Sequence, residues 1–177
     1  MAANIRGILL AAGSAKRFGS NKLLHALPPG TPDAGVPVGL AAARHLIGAL
    51  PDSIAVLRPR AQKLGKLLRD AGCNTVVCKN AGEGMGTSLA AGVRAAADAH
   101  GWVVALADMP FLHPETIRVI AKALADGAAI AAPTWAAVVP GRAVDALRKL
   151  ISSTPKPFAT RCPICSPPEP ASAASAA

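Results

Sequence analysis

Apolar residues fall along this chain in short blocks, separated by longer segments with helical spacing. The first block, Ile5 to Ala12, is almost wholly apolar and ends at Gly13, the pattern of a buried strand. Val38 to Leu50 carries Leu40, Leu46, Ile47 and Leu50 at helical intervals, and Ser53 to Leu57 is a second apolar block. Ala61 to Asp70 has the spacing of a helix, with Gly72 in the usual stop position. A third strand is expected over Cys73 to Cys78 and a glycine-rich loop over Asn80 to Gly86. Thr87 to Ala99 is alanine-rich and interrupted by Gly92, which predicts a helix. Trp102 to Ala107 predicts a fourth strand, and Pro114 to Asp126 a helix with proline in its first turn. Ala128 to Ala132 completes the expected set as a fifth strand.

Short strands that are apolar on both sides and alternate with helices indicate a mostly parallel sheet covered on both faces. The fold class expected is therefore α/β, an open three-layer α/β/α sandwich. Beyond Pro133 the pattern weakens. Arg142 to Ile151 has helical character, and the segment after Thr154 is rich in Pro, Ala and Ser. The expected organisation is one domain over residues 1–154, atypical after 133, and a disordered tail over 155–177.

Composition narrows the classes of function. The chain has 177 residues with a formal net charge of +9, is 51% hydrophobic with only 3% aromatic residues, and contains no tyrosine. The basic residues occur singly or in pairs, as at Arg58 and Arg60 or Arg148 and Lys149, with no interleaved aromatics. That argues against nucleic acid as a partner and leaves a phosphorylated small molecule as the anion such a balance would attract. No apolar stretch is long enough to span a membrane, and the N-terminus lacks a basic leader region. A cytoplasmic location is expected.

Three segments carry candidate chemistry. The first is LLAAGSAKRFGSNK, residues 9–22, which follows the first strand. Loops beyond the C-terminal ends of parallel strands are where ligands bind. Small residues at Ala11, Ala12, Ser14 and Ala15 would admit a phosphate to the backbone amides. Arg17 offers a planar multi-donor contact and Lys22 a compact charge, while Lys16 would bind or face water. A plain basic surface loop is the alternative. The spacing is neither that of a Walker A loop nor GxGxxG. The second segment, GEGMGTSLAAGV over residues 82–93, runs a glycine turn into a helix start, where Thr87 or Ser88 would serve as cap and anions are attracted. Met85 would line a pocket or fill a gap. The third, ALADMPFLHPET over residues 105–116, places Asp108 just past an apolar strand. A single carboxylate there suits Mg2+, which takes few protein ligands and shares phosphate oxygens. The alternative for Asp108 is a turn cap, and His113 is expected as a surface or capping residue.

LAAGSAKRFGSNK resembles the N-terminal signature LAAGxSxRxGxxK of nucleotidyltransferases of the molybdenum cofactor guanylyl- and cytidylyltransferase type. Leu10, Ala11, Ala12, Gly13, Arg17, Gly19 and Lys22 match, and Ala15 stands where the serine is usual. The DMP triplet at residues 108–110 is a feature of the same family, and GMGTSLAAGV is more similar to its cytidylyltransferase branch. The resemblance implies a Rossmann-like nucleotidyltransferase sheet. It implies that Leu10, Ala11, Ala12, Gly13 and Ser14, with Gly84, Met85 and Ser88, bind the nucleotide. Arg17 and Lys22 would hold the triphosphate and Asp108 the Mg2+, these three being the catalytic residues. The implied reaction transfers CMP or GMP from CTP or GTP to the phosphate of a molybdopterin-type cofactor, releasing pyrophosphate. A molybdoenzyme or its chaperone is the implied protein partner.

The resemblance covers residues 5 to 133. Such enzymes continue with a Gly-His-Pro element that closes over the acceptor; residues 132–150, APTWAAVVPGRAVDALRKL, lack it. Two other readings therefore stand beside the first: transfer to a sugar phosphate or alcohol phosphate, and a non-catalytic nucleotide-binding remnant. The pair Cys162 and Cys165 supplies two thiols where structural zinc usually takes four ligands, so an accidental exposed pair is expected.

Overall fold

The structure, a computed structural model, describes residues 3–13 and 21–133. Its main elements are β1 (Ile5–Ala11), α1 (Val38–Ala49), β2 (Ile54–Leu57), α2 (Gln62–Asp70), β3 (Asn74–Val77), α3 (Met85–Ala95), β4 (Gly101–Leu106) and α4 (Pro114–Ala125). Short 3-10 turns occupy Lys22–Leu24 and Ala81–Glu83. The expected helix at 142–151, the tail and the pair Cys162 and Cys165 lie outside the described residues.

The strands form one parallel sheet in the order β3-β2-β1-β4. The chain steps outward from β1 to β2 to β3, then crosses back to place β4 on the other side of β1. The step direction reverses between β1 and β4, so the switch point of the sheet lies between their C-terminal ends, Ala11 and Leu106. Reversing direction while keeping right-handed crossovers puts the connecting helices on opposite faces. The core clusters show this arrangement. Leu9, Ala11, Ala55, Leu57, Val103 and Ala105 pack with Leu46 of α1, Leu64 and Leu68 of α2 and Ile117 of α4. On the other face Ile8 and Val56 pack with Ala91 and Val93 of α3. Three layers result, as the alternation of short apolar strands with helices implies.

The two faces are packed by different means. On the first, Leu46, Leu64, Leu68 and Ile117 are 0–1% exposed, and each contributes about 1.5–3 kcal/mol by leaving water. On the second, α3 buries Ser88 and Gly92, four residues apart on one stripe. A Cβ on Gly92 would stand 2.6 Å from Cγ2 of Ile8, so the glycine brings the helix axis down onto β1 and β2. Gly92 is thus a packing residue rather than a helix interruption.

Two expectations are corrected. Ala128 to Ala132 joins no strand of the described sheet. Four of those five residues are alanine, which has little side chain to pack across a sheet. The helix expected over Thr87 to Ala99 runs from Met85 to Ala95 instead. It starts early because Gly84, at φ 138°, turns the chain into it. It stops early because the chain must turn back into β4, where Nε1 of Trp102 donates to the carbonyl of Ala96 at 3.0 Å.

Candidate functional site

In a parallel sheet every connecting helix begins at the rim where the strands end, so backbone amides and the positive ends of helix dipoles gather there. Leu10 and Ala11 end β1 at that rim. Leu10 is half-buried on the α3 face, and Ala11 and Ala12 are buried. Gly13 is exposed, and a Cβ built on it would meet no atom of the described residues within 4 Å. Ser14 and Arg17, with Lys16 and Gly19, lie outside the described residues.

Lys22 opens the 3-10 turn that follows this loop. The Asn21 side chain accepts the Leu23 amide hydrogen at 3.3 Å, which starts the turn. Leu23 then seats on α1, where a Cβ on Gly39 would come within 3.2 Å of Leu23 Cβ. The turn is therefore anchored by an apolar contact while Lys22 points to the rim. Asp108 arrives from the other side of the switch point. The Ala107 amide donates to the Leu10 carbonyl at 3.1 Å, carrying the β1–β4 ladder one residue past the strand. The Met109 amide closes a turn onto the Leu106 carbonyl at 3.1 Å, with Asp108 at its tip. Lys22 Nζ and Asp108 Oδ2 are 3.5 Å apart, with side chains 42% and 50% exposed. The segment NKLL carries the signal for this turn, a small polar cap followed by apolar anchors; reading the loop as far as Lys22 alone misses the contribution of Asn21 and Leu23.

The second segment is arranged differently from expectation. Gly84 sits at the N-cap of α3 and Met85, in its first turn, is 65% exposed. Ser88 is 4% exposed, on the sheet-facing stripe of α3 rather than open at the rim. Thr87 does not cap the helix amides. Its hydroxyl donates to the carbonyls of Gly84 at 2.8 Å and Asn80 at 3.0 Å, which ties the glycine turn to the helix. Among the described residues no N-cap side chain bonds the first amides of α3, and no acidic residue stands in its first turn.

Among the described residues no cluster of three or more His, Cys, Asp or Glu side chains is placed to hold a metal ion. His113 stands at the N-cap of α4 without a capping hydrogen bond, its ring stacked on His45 at 6.3 Å between centroids. His45 in turn reaches Asp33 at 3.2 Å, so both histidines belong to the packing of α1 and α4. Cys73 and Cys78 flank β3, both buried and free. Burial pushes the Cys73 thiol up to about 11, which makes it a core residue and not a nucleophile. No helix among the described residues is long and apolar enough to cross a membrane.

Comparison with known proteins bears on this rim. The chain resembles a nucleotidyl transferase from Methanothermobacter thermautotrophicus at 28% identity and TM-score 0.55, covering 67% of this chain and 57% of that one. It resembles Rv0371c of Mycobacterium tuberculosis at 27% identity and TM-score 0.54, covering 71% of this chain and 63% of the other. A manganese complex of Rv0371c matches at 26% identity and TM-score 0.50, over 70% and 60% of the two chains. The chain thus spans less than two thirds of the length of each of these proteins. No curated protein sequence matches it. The model of the MobA-like NTP transferase domain matches residues 7–163, past the point where the motif resemblance ends. With a parallel sheet that reverses between β1 and β4, and a match over most of its length, the chain belongs to the MobA-like NTP transferase domain family.

Proposed function

We propose that this protein is a nucleotidyltransferase that moves CMP from CTP to a phosphorylated small acceptor of the molybdopterin type and releases pyrophosphate. The single observation that supports this most is the approach of Lys22 to Asp108 at the switch point. A triphosphate needs a cation for its oxygens and an acid for its metal, and these two groups stand within one phosphate of each other. CTP is preferred over GTP on the likeness of residues 84–93 to the cytidylyltransferase branch.

The residues would share the work as follows. The main chain from Leu10 to Gly13 and the glycine turn at Gly84 hold the nucleoside. Lys22, with Arg17, neutralises charge on the phosphates as the bond to the leaving pyrophosphate breaks. An acceptor phosphate is already an anion, so no side-chain base is needed. Asp108 would hold Mg2+, which supplies charge neutralisation and polarisation of the phosphates when bound. The half-exposed carboxylate fits such an ion, and the manganese complex of Rv0371c is consistent with a divalent metal in this family.

The test is pyrophosphate release from CTP and from GTP with Mg2+ and molybdopterin. Release above that of an Asp108→Ala control supports the reading. CTP binding without release on molybdopterin, sugar phosphates or alcohol phosphates would select the non-catalytic alternative, which the missing Gly-His-Pro element favours.

A further inference from the structure

The contact that supports the proposed function also presents a conflict. Lys22 and a divalent metal cannot share Asp108 on equal terms. A metal bound to Asp108 Oδ2 would sit about 2.1 Å from that oxygen, and Lys22 Nζ is already 3.5 Å from it. Two cations would then stand a few ångströms apart on one carboxylate, and their repulsion at such range weakens metal binding even when solvent screens it. No cluster of other carboxylates or histidines is at hand among the described residues to offset that repulsion.

We propose that Lys22 is a resident cation that keeps the metal position of Asp108 closed until a triphosphate arrives, so that divalent metal and nucleotide enter as a coupled pair. This rests on the nucleotidyltransferase reading. The side chains are 42% and 50% exposed, so the ion pair is an exchangeable one and not a buried lock. Lysine is suited to the exchange, because its flexible stem carries a point charge that can swing between acceptors. Leu23, next to Lys22, is seated on α1, so the exchange asks only for a swing of the lysine side chain. A triphosphate carries several negative charges against the single charge of Asp108 and draws the ammonium away. The carboxylate is then free for the metal that the same triphosphate chelates. By linkage, metal raises nucleotide affinity by the factor with which nucleotide raises metal affinity.

The experiment is Mn2+ binding to the full chain, followed by the EPR signal of free Mn2+, first without nucleotide. Lys22→Gln should bind Mn2+ about threefold to tenfold more tightly than the parent, as expected for removal of a cation a few ångströms away. Lys22→Arg keeps the charge and should match the parent. The gain should disappear in Lys22→Gln combined with Asp108→Asn. Equal or weaker Mn2+ binding by Lys22→Gln overturns the inference, as does a gain that survives loss of the Asp108 carboxylate. A separate titration of the parent with CTP and GTP at saturating Mn2+ tests the reading beneath it. Absence of nucleotide binding there defeats the nucleotidyltransferase reading whatever the Mn2+ result, whereas nucleotide binding with an unchanged Lys22→Gln defeats only the coupling.

Discussion

An ion pair stands at each end of the β1–β4 pair, and the two are built differently. At the end where the strands begin, Arg6 meets Asp98 at 3.0 Å, with the arginine side chain 25% exposed. Further bonds surround it: the His100 amide donates to the Asn4 carbonyl at 2.8 Å and the Asn4 amide to His100 Nδ1 at 3.1 Å. At the end where the strands finish, Lys22 meets Asp108 at 3.5 Å, and both side chains are about half exposed. A planar guanidinium on β1 whose side chain is mostly covered is held at its end, whereas a lysine at a wet rim can be drawn off by another anion. Opposite charges at the two ends of the β1–β4 pair thus stand in different settings, one partly buried and one half exposed.

Several substitutions would break this contrast or make it sharper. The largest effect is expected from Asp108→Asn, which should lower the pyrophosphate-release rate about 100-fold, the usual cost of one charge-stabilising group. Its melting temperature should stay within about 1 °C of the parent, since an exposed pair adds little to stability. A large fall in melting temperature would instead make the rim pair structural.

A reference point away from both pairs is Cys73. Its thiol is raised from 9.0 to about 11 by burial, so the folded state holds its proton more firmly than the unfolded chain. Stability that is full below pH 9 should decline as pH rises toward 11, by roughly 2 kcal/mol in this group's contribution. Chemical denaturation at pH 8 and pH 10.5 should show that decline reduced in Cys73→Ala.

Arg6→Met should cost about 1 kcal/mol and lower the melting temperature by about 2–4 °C, with CTP affinity unchanged. Loss of nucleotide binding in this variant would mean that the two ends do not act separately. The smallest effect is that of salt. Raising NaCl from about 0.05 to 0.5 M should narrow the difference in Mn2+ affinity between the parent and Lys22→Gln, because exposed charges are screened first, and should leave most of the Arg6→Met deficit in place.

Much of the fold was readable along the chain, because three of the four strands, β1, β2 and β4, are local apolar blocks and the main helices have their own spacing. The fifth strand was misread because an alanine run is apolar without having the side chains that hold a sheet together. The candidate site was readable as three separate segments, since glycines beside cations and an acid just past a strand are local patterns. The burial of Ser88 was not readable. It depends on which side of α3 lies against Ile8 and Val56, and Gly92 decides that through contact with residues far away in sequence. The use of Thr87 was hidden for a related reason, because its hydroxyl bonds to carbonyls of the preceding turn rather than to helix amides.

The sequence by itself determined where strands stop and which residues stand just beyond them, because backbone propensity and apolar periodicity are local properties. Tertiary structure alone decided that β4 returns to the side of β1, and so that Lys22 and Asp108 meet across the switch point. Strand order follows from the handedness of the crossovers and from helices competing for the two faces of the sheet, and neither is written in any single segment.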